Sequence, residues 1–502
     1  MLGKPRYSQS HRSTQHISIP QDSIIFRGTY NKIKFFDNTV CFYFLNENKV
    51  FSWNSINWNF ADFGKLWVYN LNYFDFLESC DLNNGFFLIK DYIRNAADLK
   101  DGMEPYPTSL RIVNWIKLCV KHQVFPTDVL RFIRSDVDRL QKKIEYHILA
   151  NHILENACTL WISSIFFNDH KLQKKASVLL EAQIKEQFAG DGFHYEKSIL
   201  YHITLLSKLL DCFHMTPFNS NSNKNIEDLL KITLAEGAAK IKWFMESHNF
   251  PMFNDCVEQE LPHINQLLQG IESAGIVIKE GNQNTSGYFK FFQNDFVAFA
   301  NYSSIGPRYQ PGHAHADTFS FVLYFKKKQI IVDPGISTYE ACDIRDFERS
   351  TKAHNTISYN NENSSEVWSA FRVGRRAEVF DVKVSENEVT GWHNGYRHLG
   401  AKHFRNLKVT EYGINIYDVI EERSGKNIIS SIHFHPDVQL EISDNNILIE
   451  KKVVFNWSGI KEWNISDYFF AEGFNSRRKA IKWSAIVEPR SHLHFQTVSY
   501  ES

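Results

Sequence analysis

Three stretches of this 502-residue chain place reactive side chains at spacings that could do chemistry. The densest is PGHAHADTFSFVLYFKKKQIIVDPG, residues 311–335. His313 and His315 are two apart, so on an extended segment both imidazoles point to one face. A hairpin then returns Asp333, and the next strand opens with His354. Two His and one Asp from adjacent segments suit Zn2+, which accepts imidazole nitrogen and carboxylate oxygen. The same residues would serve equally as hydrogen-bonding groups in turns, and Asp-Pro-Gly at 333–335 is turn chemistry in its own right.

The second stretch is KIEYHILANHILENACTLWISSIFF, 143–167, read as one long helix. His147, Asn151 and Glu155 recur at i, i+4 and i+8, a polar stripe, with His152 and Asn156 beside it. Such a stripe is often a solvated face, but Asn and His are less usual there than Lys and Glu. The third is DGFHYEKSILYHITLLSKLLD, 191–211, where Tyr201 and His202 sit among helically spaced Ile and Leu. A Tyr in that setting is commonly a core or boundary residue.

Two kinds of element must position these residues. The first 60 residues read as a cap of short strands or irregular chain. From 61 to 280 the apolar residues recur at helical spacing, notably in 107–122, 143–167, 172–188, 195–213 and 226–247. Successive helices with short links suggest an array of helical hairpins or a toroid. From 285 to 502 the period falls to two, with strands in 296–302, 318–335, 354–360, 375–385, 406–422, 431–443 and 446–457. So many strands joined by tight turns suggest a large antiparallel sandwich, and hence an α+β multidomain chain.

Composition bounds the partners. Hydrophobic residues are 43 %, enough for large cores. The 56 basic and 57 acidic side chains leave a net charge of -1, which argues against a global nucleic-acid binder. Aromatics are 15 %, which makes carbohydrate a candidate ligand class, although most Phe will be core. No stretch is long and apolar enough for a transmembrane helix. The N-terminus carries charges without an apolar h-region. It reads as lacking a secretory signal, so a cytoplasmic location is the default, with a periplasmic or secreted one if a leader has been removed. Seven scattered Cys with no CxxC spacing fit reduced thiols.

Taken in order, several motifs resemble the heparinase II/III family of polysaccharide lyases. They are NLNYFDFL (70–77), YPTSLRIVNWIK (106–117), ANHILENACTL (150–160), DGFHYEKSILYH (191–202), GHAHADTFSF (312–321), IIVDPGISTY (330–339) and FERSTKAHNT (347–356). The resemblance implies an (α/α) toroid followed by an antiparallel β-sandwich. It implies a carbon-oxygen lyase that cleaves an acidic, uronate-containing polysaccharide by β-elimination, leaving a 4,5-unsaturated uronide. Asn151 would neutralise the uronate carboxylate, and Tyr201 and His313 would be the catalytic tyrosine and histidine. Tyr201 could be base, acid or both in turn, and His313 could be the base for the opposite epimer. His315, Asp333 and His354 would hold a structural Zn2+. An acidic polymer calls for cationic, polar and aromatic contacts, for which His152, Glu155, His202, Arg349 and Trp368 are candidates. Arg111, Arg345, Arg372, Arg375 and Arg376 are further cations, and Trp115 and Trp392 further aromatics.

Two other functions compete. One is a glycan-binding or modifying protein of capsule or lipopolysaccharide biosynthesis without lyase activity. The other is a metal-dependent hydrolase built on HAHAD, but such barrels need alternating βα units where this chain shows consecutive strands. On the lyase reading, a chain of net charge -1 must concentrate its binding cations locally.

Overall fold

A computed structural model describes residues 13–27, 32–188, 190–219, 224–246, 249–261, 263–279, 286–422 and 425–498. The chain divides into two compact units. The first comprises Met1–His194, Tyr201–Lys240 and Glu260–Gly281; the second comprises Tyr195–Leu200, Ile241–Gln259 and Asn282–Ser502. The division is therefore not a single cut. Two short segments numbered within the helical half belong to the second unit.

The first unit opens with a small antiparallel sheet, β1 (Lys32–Phe35), β2 (Thr39–Phe44) and β3 (Glu47–Ser52). Helices follow: α1 (Lys65–Tyr73), α2 (Leu82–Arg94), α3 (Pro105–His122), α4 (Thr127–Leu140), α5 (Ala150–Phe166), α6 (His170–Gln187), α7 (Ile199–Met215), α8 (Lys224–Phe244) and α9 (Ile264–Ser273). Asp81 and Asp169 cap α2 and α6 by accepting the N–H of Asn84 and Leu172. No helix among the described residues is long and apolar enough to cross a membrane.

The helix expected over 143–167 is shorter, and His147 lies in a turn before it. The three-residue stripe therefore does not exist as one helical face. Nor is α5 amphipathic: every residue on it except His152 is buried. A helix buried on all sides shows no solvent stripe, which is why periodicity misplaced its start.

The second unit is built on antiparallel sheet. A four-stranded sheet runs β4 (Tyr288–Gln293), β5 (Phe296–Asn301), β6 (Phe321–Phe325) and β7 (Lys328–Ile331) in order. After a short helix, α10 (Asp343–Glu348), and strand β8 (Ile357–Tyr359), a two-stranded hairpin follows, β9 (Val367–Trp368) and β10 (Arg372–Val373). The larger sheet contains β11 (Val379–Val384), β12 (Glu388–His393), β13 (Lys402–Thr410), β14 (Gly413–Glu421), β15 (Ile428–His433), β16 (Leu440–Ile442), β17 (Asn446–Ile449), β18 (Val453–Gly473) and β19 (Ser476–Thr497). Its main path is β11-β12-β13-β14-β19-β18-β17-β16, with β15 bridging β19 and β8.

Alternation decides which face is buried. Along β13 and β14, Leu407, Val409, Ile414 and Ile416 turn inward to meet Phe455, Trp483, Leu493 and Phe495 of β18 and β19. Into this core a charged knot is built. Arg405 donates to both oxygens of Asp418 at 2.7 and 2.8 Å, and His403 Nε2 lies 2.7 Å from the same carboxylate. The Arg405 guanidinium also donates to the carbonyls of Phe319 and Asn355, at 2.6 and 2.8 Å. It thereby ties the end of the HAHADTF loop to the sheet. All seven Cys are unpaired, six of them buried.

Candidate active site

In the second unit the site is organised by a residue the sequence did not mark. Asp255 is fully buried. His313 Nδ1 lies 2.7 Å from its Oδ2, and His315 Nε2 lies 2.8 Å from its Oδ1. Arg345, on α10, donates to both oxygens at 2.5 and 2.7 Å. Burial alone would raise the Asp255 carboxyl, but Arg345 and the two histidines outweigh it and hold it well below the usual carboxylate range. An ionised carboxylate only accepts, so the proton of His313 sits on Nδ1 and that of His315 on Nε2. His313 Nε2 is thus left as the proton-accepting nitrogen, with Glu196 Oε1 at 3.7 Å. The His313 side chain is 12 % exposed.

Backbone contacts fix this register. Asp255 N–H donates to the His313 carbonyl and His315 N–H to Asn254 Oδ1, both at 3.0 Å. Ser198 Oγ donates to the Asp255 carbonyl. The HAHAD segment is a loop rather than a strand, yet both rings address one carboxylate. The expected return of Asp333 by a hairpin is present as β6–β7.

The metal candidates sit beside this cluster. His315 and His354 are both fully buried, with ring centroids 5.3 Å apart. His354 Nδ1 lies 2.8 Å from Asp333 Oδ2. His315 Nδ1 and His354 Nε2 are buried with no hydrogen-bond partner. Each ring therefore gives one N–H to a carboxylate and keeps its other nitrogen bare, the arrangement of histidines that ligate a metal. Asp333 is turned toward His354, and among the described residues no three such side chains form a ready metal-holding group. The two histidines fit a cation; Asp333 as placed supports one of them.

The first unit holds the other two catalytic candidates. Asn151 is the second residue of α5 and is buried. The chain enters that helix through Leu149 and Ala150, both at positive φ (65° and 54°), a costly conformation for residues with side chains. Gln187 donates to the Ala150 carbonyl at 2.9 Å and helps hold it. Next on α5, His152 lies 3.1 Å from Glu145 Oε1 and packs on Tyr106 at 4.4 Å between centroids. Asn156 holds Glu145 in turn by bonding its backbone N–H and its Oε2. Tyr73 stands 5.9 Å from Tyr106. Its hydroxyl is raised well above the ordinary value, first by burial and then by neighbouring phenols that include Tyr106, Tyr69 and Tyr201. Four motifs distant in sequence thus bring Tyr73, Tyr106, His152 and Tyr201 into one neighbourhood.

Three substrate-contact candidates face inward instead. Glu155 is fully buried; neither carboxyl oxygen has a hydrogen-bond partner, and Lys208 Nζ stands 3.9 Å away. Burial pushes its carboxyl up. His202 is buried, bonded through Nε2 to the Gly237 carbonyl at 3.0 Å, and burial lowers it to about 4, so it is a neutral structural imidazole. Arg349 is fully buried and donates to the carbonyls of Ala314, Trp368 and Ser369. Its motif marks a backbone clamp, not a hand offered to substrate. Trp368, by contrast, is exposed. Of the other cations, Arg111 is buried on Asp136, whereas Arg372 is exposed. Trp115 is core, and Trp392 stacks on Phe380.

Two family models match: heparinase II/III N-terminus over residues 112–273, and heparinase II/III-like, C-terminal, over 282–492. The chain belongs to the heparinase II/III family. It is 22 % identical over 323 residues to a heparin-sulfate lyase of Bacteroides stercoris, covering 58 % of this chain and 46 % of that protein. With a heparin-sulfate lyase of Bacteroides thetaiotaomicron it shares 23 % identity over 242 residues, 39 % of this chain and 34 % of the other. The matched region thus spans less than half the length of these relatives. Among solved structures it is similar to a heparinase III (TM-score 0.62, 14 % identity, 88 % of this chain and 79 % of that one). It is also similar to a heparan sulfate lyase of Pedobacter heparinus (TM-score 0.57, 15 % identity, 90 % and 80 %). These likenesses establish the fold, helical unit first and antiparallel β unit second.

Proposed function

We propose that this protein is a polysaccharide lyase acting on a uronate-containing glycosaminoglycan. The observation that carries the reading is the His313–Asp255–Arg345 chain. It holds one imidazole in a single tautomer with Nε2 as acceptor, which a proton-abstracting histidine requires. The names of the relatives point to the same substrate class.

The chemistry follows from the residue types. In β-elimination the C5–H bond of the uronate breaks and its electrons form the C4=C5 double bond. The C4–O4 bond then breaks, and the departing oxygen needs a proton. His313 Nε2 accepts the C5 proton, and Glu196 stabilises the resulting imidazolium. Asn151 donates to the uronate carboxylate, where charge builds in the enolate-like intermediate. The Tyr201 hydroxyl supplies the proton to O4. A phenol O–H is a proton donor of the kind that task needs.

We also propose that His315 and His354, supported by Asp255 and Asp333, hold a Zn2+ in a structural role. The bare buried nitrogens support this. Zn2+ would supply fixed positive charge and stiffen the HAHAD loop, and no step above passes through it.

The test is incubation with heparin, heparan sulfate, chondroitin sulfate and alginate while following the ultraviolet absorbance of unsaturated uronides. A rise with at least one polymer is expected. Folded protein that binds a polymer and yields no unsaturated product would overturn the lyase reading in favour of glycan binding.

A further inference from the structure

The hairpin β9–β10 is a two-stranded outgrowth with a three-residue loop, Ser369–Ala370–Phe371. Ser369 takes φ +54°, a region a side chain rarely adopts. An isolated hairpin so short is not stable on its own. Here it is held from beneath by the two buried arginines. Arg345 Nε donates to the Ala370 carbonyl at 3.0 Å. Arg349 Nη1 donates to the carbonyls of Ser369 and Trp368 at 3.1 and 3.4 Å. Three successive turn carbonyls are thus fixed by the helix that also carries the Asp255 partner and by the residue directly after it.

What this clamp presents is unusual for a surface. Trp368 is 47 % exposed and Phe371 42 % exposed, two large apolar rings left in water on a rigid support. Phe371 packs edge-on against His313, with centroids 5.6 Å apart. Trp368 and Arg372 are directly opposite in the hairpin register, so indole and guanidinium share one face. Arg372 is exposed. Gly374 makes room first for the Glu366 carboxylate and then for the indole: a Cβ there would stand 2.4 Å from Glu366 Oε2 and 3.1 Å from Trp368 Cζ3. The segment 366–376, EVWSAFRVGRR, carries three Arg against one Glu in a chain whose net charge is -1.

We infer that the Trp368–Phe371–Arg372 hairpin is a glycan-gripping subsite beside His313, taking an anionic hexose ring of the polymer. Aromatic faces stack on the C–H face of a pyranose, and Arg372 pairs with a carboxylate or sulfate on the same ring. The occupant is argued from charge complementarity and from continuity with the reactive histidine. The inference rests on the lyase reading for its substrate class. It assigns Arg345 and Arg349 as positioning residues that aim the hairpin.

The experiment measures binding and turnover separately. Heparan sulfate is titrated into wild type and into Trp368→Ala, Phe371→Ala, Arg372→Gln and Phe469→Ala by calorimetry, with unsaturated product followed in parallel. Phe469 is an exposed ring on β18, outside the β9–β10 hairpin, and serves as control. All four side chains are exposed, and circular dichroism of each variant checks that the fold is kept before titration. Trp368→Ala and Phe371→Ala are expected to weaken binding about fivefold to tenfold, from stacking energies typical of aromatic contacts. Arg372→Gln is expected to weaken it about tenfold in dilute buffer and much less at roughly 0.5 M salt, where charge is screened. Phe469→Ala is expected to change nothing. Hairpin variants that bind as tightly as wild type overturn the subsite. Wild type that binds, loses binding in the hairpin variants and forms no unsaturated product overturns the lyase reading while the subsite stands. Wild type that binds none of heparin, heparan sulfate, chondroitin sulfate and alginate in the same titration overturns both.

Discussion

Replacing Asp255 by Asn removes one charge and leaves the shape nearly unchanged. Asp255 accepts from His313, His315 and both terminal nitrogens of Arg345, all at 2.5–2.8 Å. An amide cannot accept on both ends, so one of these donors meets an N–H instead. Arg345 is fully buried and loses the one charged hydrogen-bond partner it has among the described residues. Breaking a buried pair in this way costs about 3 kcal/mol or more. For a unit of this size that lowers its melting transition by roughly 6–12 °C. The catalytic effect is separate. The Asn amide can donate to His313 Nδ1 and shift the ring proton to Nε2, which blocks the acceptor. Loss of a positioned general base lowers kcat/KM by about 10²- to 10⁴-fold. The assay is unsaturated-uronide formation at a temperature well below both melting transitions, with the ¹⁵N shifts of the His313 ring as an independent readout of its tautomer. In a His313→Ala background the Asp255 change is expected to cost no further activity, because the two residues act as one unit. If Asp255→Asn melts lower yet keeps kcat/KM within about threefold and the same His313 tautomer, the dyad is structural only and the reasoning is wrong.

Other outcomes follow from the same geometry. Tyr201→Phe removes the acid that protonates O4 and is expected to cut turnover at least about 10²-fold with circular dichroism unchanged; retained turnover would refute its role. Elemental analysis is expected to find about one Zn2+ per chain, lost in His354→Gln together with thermal stability, and folded metal-free wild type would refute the site. Asp211 supplies a pH prediction. It is buried on Arg27 and on Lys117 at 2.7 Å; burial pushes its carboxyl up, but the two cations win and hold it at about 2. A depressed carboxyl stabilises the fold fully above its unfolded value of 3.8, by about 2 kcal/mol, and that stability is lost as pH falls through about 2. Burial lowers the Lys117 ammonium, while the Asp211 carboxylate beside it acts in the opposite direction. The stability gap between wild type and Asp211→Asn, read from denaturant unfolding of the helical signal, should shrink between about pH 5 and pH 2; a pH-independent gap would refute it.

Much of this protein was legible in the chain alone. The change of period near residue 280 separates helices from strands, because burial of one face imposes 3.6 on a helix and two on a strand. The residues around His313, Tyr201 and Asn151 carry the family pattern without reference to coordinates. What the sequence could not show is which polar residues turn inward. Glu155 and His202 stand in the same motifs as Asn151 and Tyr201, and Arg349 in that of His354, and local spacing treats them alike. Their burial is set by packing between elements far apart in the chain, so only the folded structure shows that these three side chains are internal braces. Asp255 is the clearest case. It lies in an unremarkable FNDCVEQ segment, one acidic residue among 57, and 58 positions from the histidine it orients. No periodicity or motif marks it, because its role exists only once the fold has brought His313, His315 and Arg345 to its two oxygens.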